Sequence, residues 1–117
     1  IIHPYVALGR FNTVGEGAVI YSGFGMSVNV NIGSFCTLLA CGLGHDVTVG
    51  DFSTISTWCN IMGHVKIGKR VFMGGNCAVA PSAVIEDDAY VGVGSVVLRK
   101  VKTGKKVFGN PAKELDF

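Results

Sequence analysis

An all-β fold, a parallel β-helix, is the fold class that this sequence predicts, because aliphatic residues recur at six-residue steps. Sixteen aliphatic residues follow this spacing, in one run from Ile2 to Leu38 and a second run from Val49 to Val97. With 49% of the chain hydrophobic, chance would produce sixteen in a row in roughly one case in 10^5. A six-residue period fits neither an amphipathic helix nor a two-sided sheet, whereas three such steps close one triangular coil.

The residue two positions before each aliphatic supports the same fold. Alternate residues of a strand point to opposite faces, so this residue also faces inward, where a narrow triangular interior requires small or medium side chains. Residues i and i+18 then stack ~4.8 Å apart, and residues 2–97 make about five coils. In the second run the inward positions hold Val47, Ser53, Cys59, Val65, Val71, Cys77, Ala83, Ala89 and Ser95.

Glycine often follows the repeat aliphatic directly. Because glycine tolerates a positive φ, we expect these glycines to form the sharp corners of the prism. The expected corner glycines are Gly9, Gly15, Gly33, Gly50, Gly68, Gly74 and Gly92.

The repeat loses one residue between Leu38 and Val49, which are eleven residues apart where two repeats take twelve. This slip leads into His45 and Asp46. We therefore predict that the corner between Leu38 and Val49 departs from the regular prism and carries a functional histidine.

Composition narrows the classes of function. The formal net charge is only +2, which gives no argument for nucleic acid as a partner. No apolar run approaches the length of a membrane span, and no signal peptide is present. The chain reads as one domain, without a linker or a low-complexity segment.

The four cysteines fall in the inward phase of the repeat. Cys36, Cys41, Cys59 and Cys77 each lie two residues before an aliphatic, and the last three are 18 residues apart. This phase favours reduced core residues stacked in a ladder over metal ligands or nucleophiles, and no C-x-x-C pair is present. Reduced thiols suit a cytoplasmic location.

Several stretches resemble the left-handed β-helix hexapeptide-repeat sugar acyltransferases, and most closely the sialic acid O-acetyltransferase (NeuD-like) type. That type includes N-acetyltransferases of nucleotide-linked amino sugars. The left hand of the helix follows from this resemblance alone, since parallel crossovers are usually right-handed. The matching stretches are residues 2–4 (IHP), 44–53 (GHDVTVGDFS), 63–68 (GHVKIG) and 107–113 (VFGNPAK).

The resemblance implies a domain organisation and a reaction. Residues 1–98 would form the β-helix acyltransferase domain, and residues 99–117 a short capping tail that contacts coenzyme A. The family's N-terminal domain, which binds the nucleotide sugar, is absent from the 117 residues. The implied activity is transfer of an acetyl group from acetyl-CoA to an amino or hydroxyl group of a sugar, with no metal.

His45 is the candidate general base. It lies two residues after Leu43 and should point outward, and neutral imidazole is suited to accept a proton near pH 7. Asp46 beside it can hold the imidazole tautomer and stabilise the imidazolium, and the family's His-[Asp/Glu] pair falls on these two positions. The alternative is an exposed corner pair with no role.

Gly63 is the candidate oxyanion donor. It follows His45 by 18 residues, so it should stack on the next coil, where its backbone N–H is open to a thioester carbonyl. The alternative is a plain corner glycine. In several relatives a second histidine nine residues after the base binds the donor carbonyl; Thr54 occupies that position, and its hydroxyl can donate one hydrogen bond. His64 stacks on Asp46 by the same rule, as a pairing partner or a bystander.

A groove along the prism would hold the pantetheine arm of coenzyme A. Basic residues after the last hexad could meet its phosphates, or form a solvated hairpin instead. The predicted groove residues are Gly74, Gly75, Ala80, Gly92 and Gly94, and the predicted tail contacts are Lys100, Lys105, Pro111 and Lys113.

Two further alternatives concern assembly and activity. Outward-facing Phe52, Trp58 and Phe72 expose more aromatic surface than a monomer usually does, which agrees with the homotrimers of the family. The histidines at 3, 45 and 64 lack the close spacing of a zinc site. A non-catalytic β-helix that serves assembly remains the alternative function, because fold does not guarantee activity.

Overall fold

A computed structural model describes residues 1–115. Its strands are two or three residues long and wind around a triangular prism of 40 × 22 × 19 Å. The strands in these residues are β1 (Ala7–Leu8), β2 (Thr13–Val14), β3 (Val19–Ile20), β4 (Gly25–Met26), β5 (Asn31–Ile32), β6 (Thr37–Leu38), β7 (Gly42–Leu43), β8 (Thr48–Val49), β9 (Thr54–Ile55), β10 (Asn60–Ile61), β11 (Lys66–Ile67), β12 (Phe72–Met73), β13 (Ala78–Val79), β14 (Val84–Ile85), β15 (Tyr90–Val91), β16 (Val96–Val97), β17 (Lys100–Val101), β18 (Lys106–Phe108) and β19 (Lys113–Glu114).

Every third strand pairs in parallel, which gives the prism three flat faces. Face 1 contains β1, β4, β7, β10, β13 and β16; face 2 contains β2, β5, β8, β11, β14 and β17; face 3 contains β3, β6, β9, β12, β15, β18 and an antiparallel β19. We call the corner between faces 1 and 2 edge A, that between faces 2 and 3 edge B, and that between faces 3 and 1 edge C. The predicted all-β parallel helix is confirmed.

The interior is a continuous column of the predicted inward residues. Repeat aliphatics such as Ile55 and Met73 are fully buried, and so are the positions two residues before them, including Ser53 and Cys77. At the N-terminal end the predicted inward residues are less completely buried, because no described coil covers the outer side of the first coil. Ile2 and Leu8 are therefore 41% and 50% exposed.

The helix is longer than the predicted five coils. β17 and β18 lie within the predicted tail, yet they pair with β14 and β15 and extend faces 2 and 3 beyond residue 98. About six coils result. Residues 116 and 117 of the predicted tail lie outside the described residues.

The positive φ angles do not fall where the sequence placed them. They occur three residues before the repeat aliphatic, mostly at other residue types, such as Asp46 (φ 59°), Trp58 (φ 65°) and His64 (φ 63°). The glycines after the aliphatics have another cause, because a Cβ there would strike the next coil. A Cβ on Gly50 would lie 2.6 Å from the backbone carbon of Gly68. The predicted reason for these glycines was wrong; close approach of coils requires them.

The register slip lies in the first part of the predicted interval from Leu38 to Val49. Leu38 and Leu43 are the repeat aliphatics of β6 and β7, so the corner between them is one residue short, and it lies on edge C. Strand partners across this corner are 17 residues apart, as in Met26 opposite Leu43, instead of 18. The His45 corner comes next and has the regular left-handed residue at Asp46. The prediction that the irregular corner itself carries the histidine is therefore wrong.

The cysteines are buried and free, as the phase predicted. Cys59 Sγ donates to the carbonyl oxygen of Gly74 at 3.1 Å, and Cys77 Sγ donates to that of Gly92 at 3.1 Å. Burial raises the pKa of Cys41 to about 12. A thiol that stays protonated is a poor nucleophile, which agrees with a packing role for Cys41. The hydrogen bond with Cys59 lowers the pKa of Cys77, but both side chains are buried in the core.

Candidate functional site

The corner that carries His45 and Asp46 lies on edge A, between β7 and β8. Asp46 adopts the left-handed conformation, and its N–H donates to the carbonyl oxygen of Val28 on the preceding coil at 3.0 Å. His64 repeats this arrangement one coil further on, with its N–H donating to the carbonyl oxygen of His45 at 2.9 Å. This backbone ladder fixes which side chains project from edge A.

His45 and Asp46 form the predicted pair. His45 Nδ1 lies 3.0 Å from Asp46 Oδ2, and the two side chains are 54% and 35% exposed. A carboxylate at this distance favours the tautomer with the proton on Nδ1, which leaves Nε2 as the acceptor. The pair therefore presents a basic nitrogen to a solvent-accessible edge.

Asn29 is a residue of this site that the sequence analysis missed. Its Nδ2 donates to Asp46 Oδ1 at 2.5 Å. The Asn29 amide, and then His45, hold the pKa of Asp46 below its ordinary value, with a smaller contribution from His64. Asp46 is therefore ionised at neutral pH, and its second oxygen is free to face His45. The sequence contained a signal for this contact. Residues stacked across the short corner are 17 residues apart, and Asn29 precedes Asp46 by 17 residues.

Replacing Asn29 with Asp should move the pH profile of catalysis. The two side chains have the same shape and both tolerate the left-handed φ of 58° at this position. The variant exchanges a donor for a second negative charge, which raises the pKa of Asp46 and stabilises the protonated form of His45. The acid limb of kcat/KM against pH should therefore shift upward, by roughly half a unit to one unit. An Asn29→Gly control lacks the extra charge, and an unmoved limb in Asn29→Asp would contradict the role.

Gly63 lies directly against the imidazole of His45, as the 18-residue rule predicted. A Cβ on Gly63 would lie 2.6 Å from His45 Nε2, and a Cβ on Gly44 would lie 2.8 Å from the Gly63 nitrogen. Two glycines thus let the basic nitrogen and the Gly63 backbone approach closely. Within residues 1–115 that N–H has no hydrogen-bond acceptor. The position suits a donor to a thioester oxygen.

Replacing Gly63 with Ala is expected to lower kcat/KM by about 10²-fold, because the added methyl displaces the imidazole from its position. The backbone at Gly63 has no positive φ, so the chain should fold normally. Gly42→Ala is the matched control, since a Cβ on Gly42 meets no atom within 4 Å. Steady-state kinetics compares the two variants, and wild-type activity in Gly63→Ala would contradict the assignment.

His64 joins the same cluster from the next coil. Its Nε2 lies 3.9 Å from Asp46 Oδ2, and its ring meets that of His45 edge-on with centroids 4.9 Å apart. His64 is 61% exposed at the side chain. His3, in contrast, lies near the N-terminal end, where its Nδ1 accepts a hydrogen bond from the Tyr5 N–H at 3.2 Å.

The residues predicted to bind the donor are distributed around the prism. Thr54 points outward from face 3, which is the face opposite edge A. Gly74, Gly75, Gly92 and Gly94 all lie on edge C, on successive coils between faces 3 and 1. Of the predicted groove residues, only Ala80 shares edge A with His45. Apart from Ala80, one chain does not bring the base and the predicted donor residues together.

The predicted tail contacts are partly together at the C-terminal end. Lys100 and Pro111 line one cavity of about 330 Å³, together with Arg99 and Ala112. Lys100 also pairs with Glu86, at 3.3 Å between Nζ and Oε2. The other two predicted contacts lie outside this cavity, with Lys105 before β18 and Lys113 in β19.

Comparison with known proteins identifies relatives of one chemical class. No protein-family model matches the chain. The GDP-perosamine N-acetyltransferase of Escherichia coli O157:H7 is 29% identical over 122 residues, which cover 98% of this chain and 55% of that protein. An acyl-[acyl-carrier-protein]–UDP-N-acetylglucosamine O-acyltransferase of Pseudomonas putida is 26% identical over 109 residues, covering 92% of this chain and 42% of that protein. The chain spans about half the length of the curated relatives it matches.

Solved structures agree with these relatives. PerB from Caulobacter crescentus, crystallised with CoA and GDP-perosamine, superposes with a TM-score of 0.96 at 28% identity. The match covers 98% of this chain and 56% of PerB.

No helix among the described residues is long and apolar enough to cross a membrane. The expected likeness to sialic acid O-acetyltransferases in particular stays a prediction.

The superposition confirms the expected left-handed parallel β-helix, and the similarity extends over almost every residue of the chain. The relatives of this protein are hexapeptide-repeat sugar acyltransferases.

Proposed function

We propose that this protein transfers an acetyl group from acetyl-CoA to an amino group of a nucleotide-linked sugar, at edge A. The observation that supports this most is the arrangement of His45 Nε2 beside the Gly63 N–H, with Asp46 Oδ2 3.0 Å from His45 Nδ1. A base that lies close to a backbone N–H donor is what acyl transfer from a thioester requires. The relative PerB, which was crystallised with CoA and GDP-perosamine, supports the choice of donor and acceptor.

The proposed reaction begins with the acceptor amine beside His45. As its nitrogen attacks the thioester carbon, Nε2 takes the proton, and the ionised Asp46 stabilises the imidazolium through Nδ1. The Gly63 N–H donates to the oxygen on which negative charge develops. The tetrahedral intermediate then collapses, the C–S bond breaks, and the His45 imidazolium returns its proton to the CoA thiolate, which restores the neutral base. A positioned base contributes typically 10²–10⁴-fold to such a step.

We further propose that the working form is a cytoplasmic homotrimer. Thr54 on face 3 and the glycines of edge C cannot reach edge A of the same prism. A neighbouring copy can bring its own donor-binding residues against that edge. Exposed aromatic pairs support such packing: Phe35 stacks on Phe52 with centroids 5.6 Å apart, and Phe72 stacks on Tyr90 at 5.2 Å. In this form, the Lys100 and Pro111 end of the prism would meet the adenosine phosphates.

The relatives also leave a hydroxyl acceptor as a second candidate, since one of them is an O-acyltransferase that uses an acyl-carrier protein. Thiol release from acetyl-CoA separates these functions when GDP-perosamine is compared with a nucleotide sugar that carries a hydroxyl in place of the amine. We expect release with the amino sugar and little with its hydroxyl counterpart. Release with the hydroxyl sugar alone would establish O-acetylation, and no release with any sugar would favour a non-catalytic assembly module.

A further inference from the structure

Three potential metal ligands meet on edge A. His45, Asp46 and His64 each offer one ligand atom, and these atoms lie within 4.8 Å of one another. The sequence spacing argued against a site formed by the three histidines. In the structure the third potential ligand is Asp46 and not the distant His3. Stacking of the coils brings His64 beside the His45–Asp46 pair.

The distances fit a small tetrahedral ion. Zn²⁺ takes imidazole nitrogens and carboxylate oxygens at about 2.0–2.2 Å, so ligand atoms around it are separated by about 3.3 Å. In this structure Asp46 Oδ2 lies 3.0 Å from His45 Nδ1 and 3.9 Å from His64 Nε2. These two distances bracket the required separation, and all three ligand atoms lie within 4.8 Å of one another. Rotation of the exposed His64 side chain would bring its nitrogen to the required separation.

We propose that His45, Asp46 and His64 bind a divalent cation of the Zn²⁺ class, and that the bound ion inhibits acetyl transfer. Two imidazoles and one carboxylate are borderline ligands, which favour Zn²⁺ over the hard cation Mg²⁺. All three side chains are accessible, with 35–61% exposure, so water completes the fourth position. The inhibitory part of this inference rests on the proposed function.

Inhibition follows from the atoms that the ion would occupy. In the free site, the Asp46 carboxylate 3.0 Å from His45 Nδ1 favours the tautomer with the proton on Nδ1, which leaves Nε2 as the base. Zn²⁺ at Nδ1 takes the place of that proton, so the ring's proton moves to Nε2, which then has no lone pair to accept another. The ion also withdraws Asp46 from its role beside the imidazolium.

His64→Asn is the variant that tests the site. Asparagine tolerates the left-handed φ of 63° at this position, and the proposed transfer step does not use His64. Isothermal titration with Zn²⁺ measures binding without any acceptor sugar, with Mg²⁺ as the control ion. We expect one Zn²⁺ per chain for wild type, no Mg²⁺ binding, and at least a ~10-fold weaker Zn²⁺ affinity for His64→Asn.

Activity gives the second readout. Zn²⁺ should inhibit acetyl transfer by wild type reversibly, with recovery on adding a chelator, and His64→Asn should need at least ~10-fold more Zn²⁺ for the same inhibition. Equal affinity in both proteins, or no wild-type binding below a millimolar, would overturn the site. If binding behaves as expected and acetyl transfer is never observed, the metal site stands and the proposed function fails.

Discussion

Replacing His45 with Ala is expected to lower kcat by roughly 10²–10⁴-fold, because the variant loses the positioned base of the transfer step. His45 Nε2 is the nitrogen that lies against Gly63, and Asp46 Oδ2 lies 3.0 Å from Nδ1 on the opposite side of the ring. The side chain is 54% exposed, so its truncation leaves no buried cavity and should not affect folding. Steady-state kinetics with saturating acetyl-CoA and an amino-sugar acceptor measures the loss.

Two controls make this result specific to the base. His45→Gln keeps a polar side chain of similar size, so an equal loss in both variants would attribute the effect to the imidazole. The affinity for CoA should remain at the wild-type value, because the predicted donor contacts other than Ala80 lie on face 3, edge C and the C-terminal end. A His45→Ala protein that turns over at the wild-type rate would refute the assignment of the base.

Replacing Gly50 with Ala is expected to lower the free energy of unfolding by about 3 kcal/mol, the upper part of the range for overpacking. The new Cβ would lie 2.6 Å from the Gly68 carbonyl carbon, 2.7 Å from the Gly68 oxygen and 2.7 Å from the Lys69 nitrogen. These are backbone atoms of the next coil, so the coils must separate and their parallel hydrogen bonds must lengthen. Gly50 N–H donates to the Ile67 carbonyl oxygen at 2.8 Å within this contact.

Thermal unfolding followed by circular dichroism tests the Gly50 prediction, and the expected decrease in Tm is roughly 10 °C. Gly42→Ala serves again as the control, because a Cβ there meets nothing within 4 Å and its Tm should be unchanged or slightly higher. If both variants unfold at the wild-type temperature, coil spacing does not depend on the glycines that follow the repeat aliphatics.

The hexad period was sufficient to predict the core of this fold. It identified both inward positions of each repeat, because a two-residue strand in a narrow prism leaves no other place for Ile55 or Cys77. The period could not identify which corners have a positive φ. Spacing reports a repeat of small residues, whereas φ depends on how each corner closes, and Asp46 shows that other residues take the left-handed conformation.

The sequence predicted part of the candidate site, because the stacking rule relates residues on neighbouring coils. Gly63 followed from the 18-residue rule, but Asn29 required the 17-residue step across the short Leu38–Leu43 corner. The sequence itself places the slip, since Leu43 is aliphatic and position 44 is a glycine, so the short step runs from Leu38 to Leu43. Thr54, in contrast, could have been assigned to the far side of the prism. Nine residues are half of an 18-residue coil, so it had to lie opposite His45.

The central claim is that edge A is where the acetyl group is transferred. A crystal structure of this protein with CoA and an amino-sugar nucleotide tests it most directly. We predict that the acceptor nitrogen lies within about 3.2 Å of His45 Nε2, with the CoA sulfur beside the Gly63 N–H and a second copy contributing Thr54 or edge C. Ligands bound along another edge or face, with His45 open to solvent, would contradict the account.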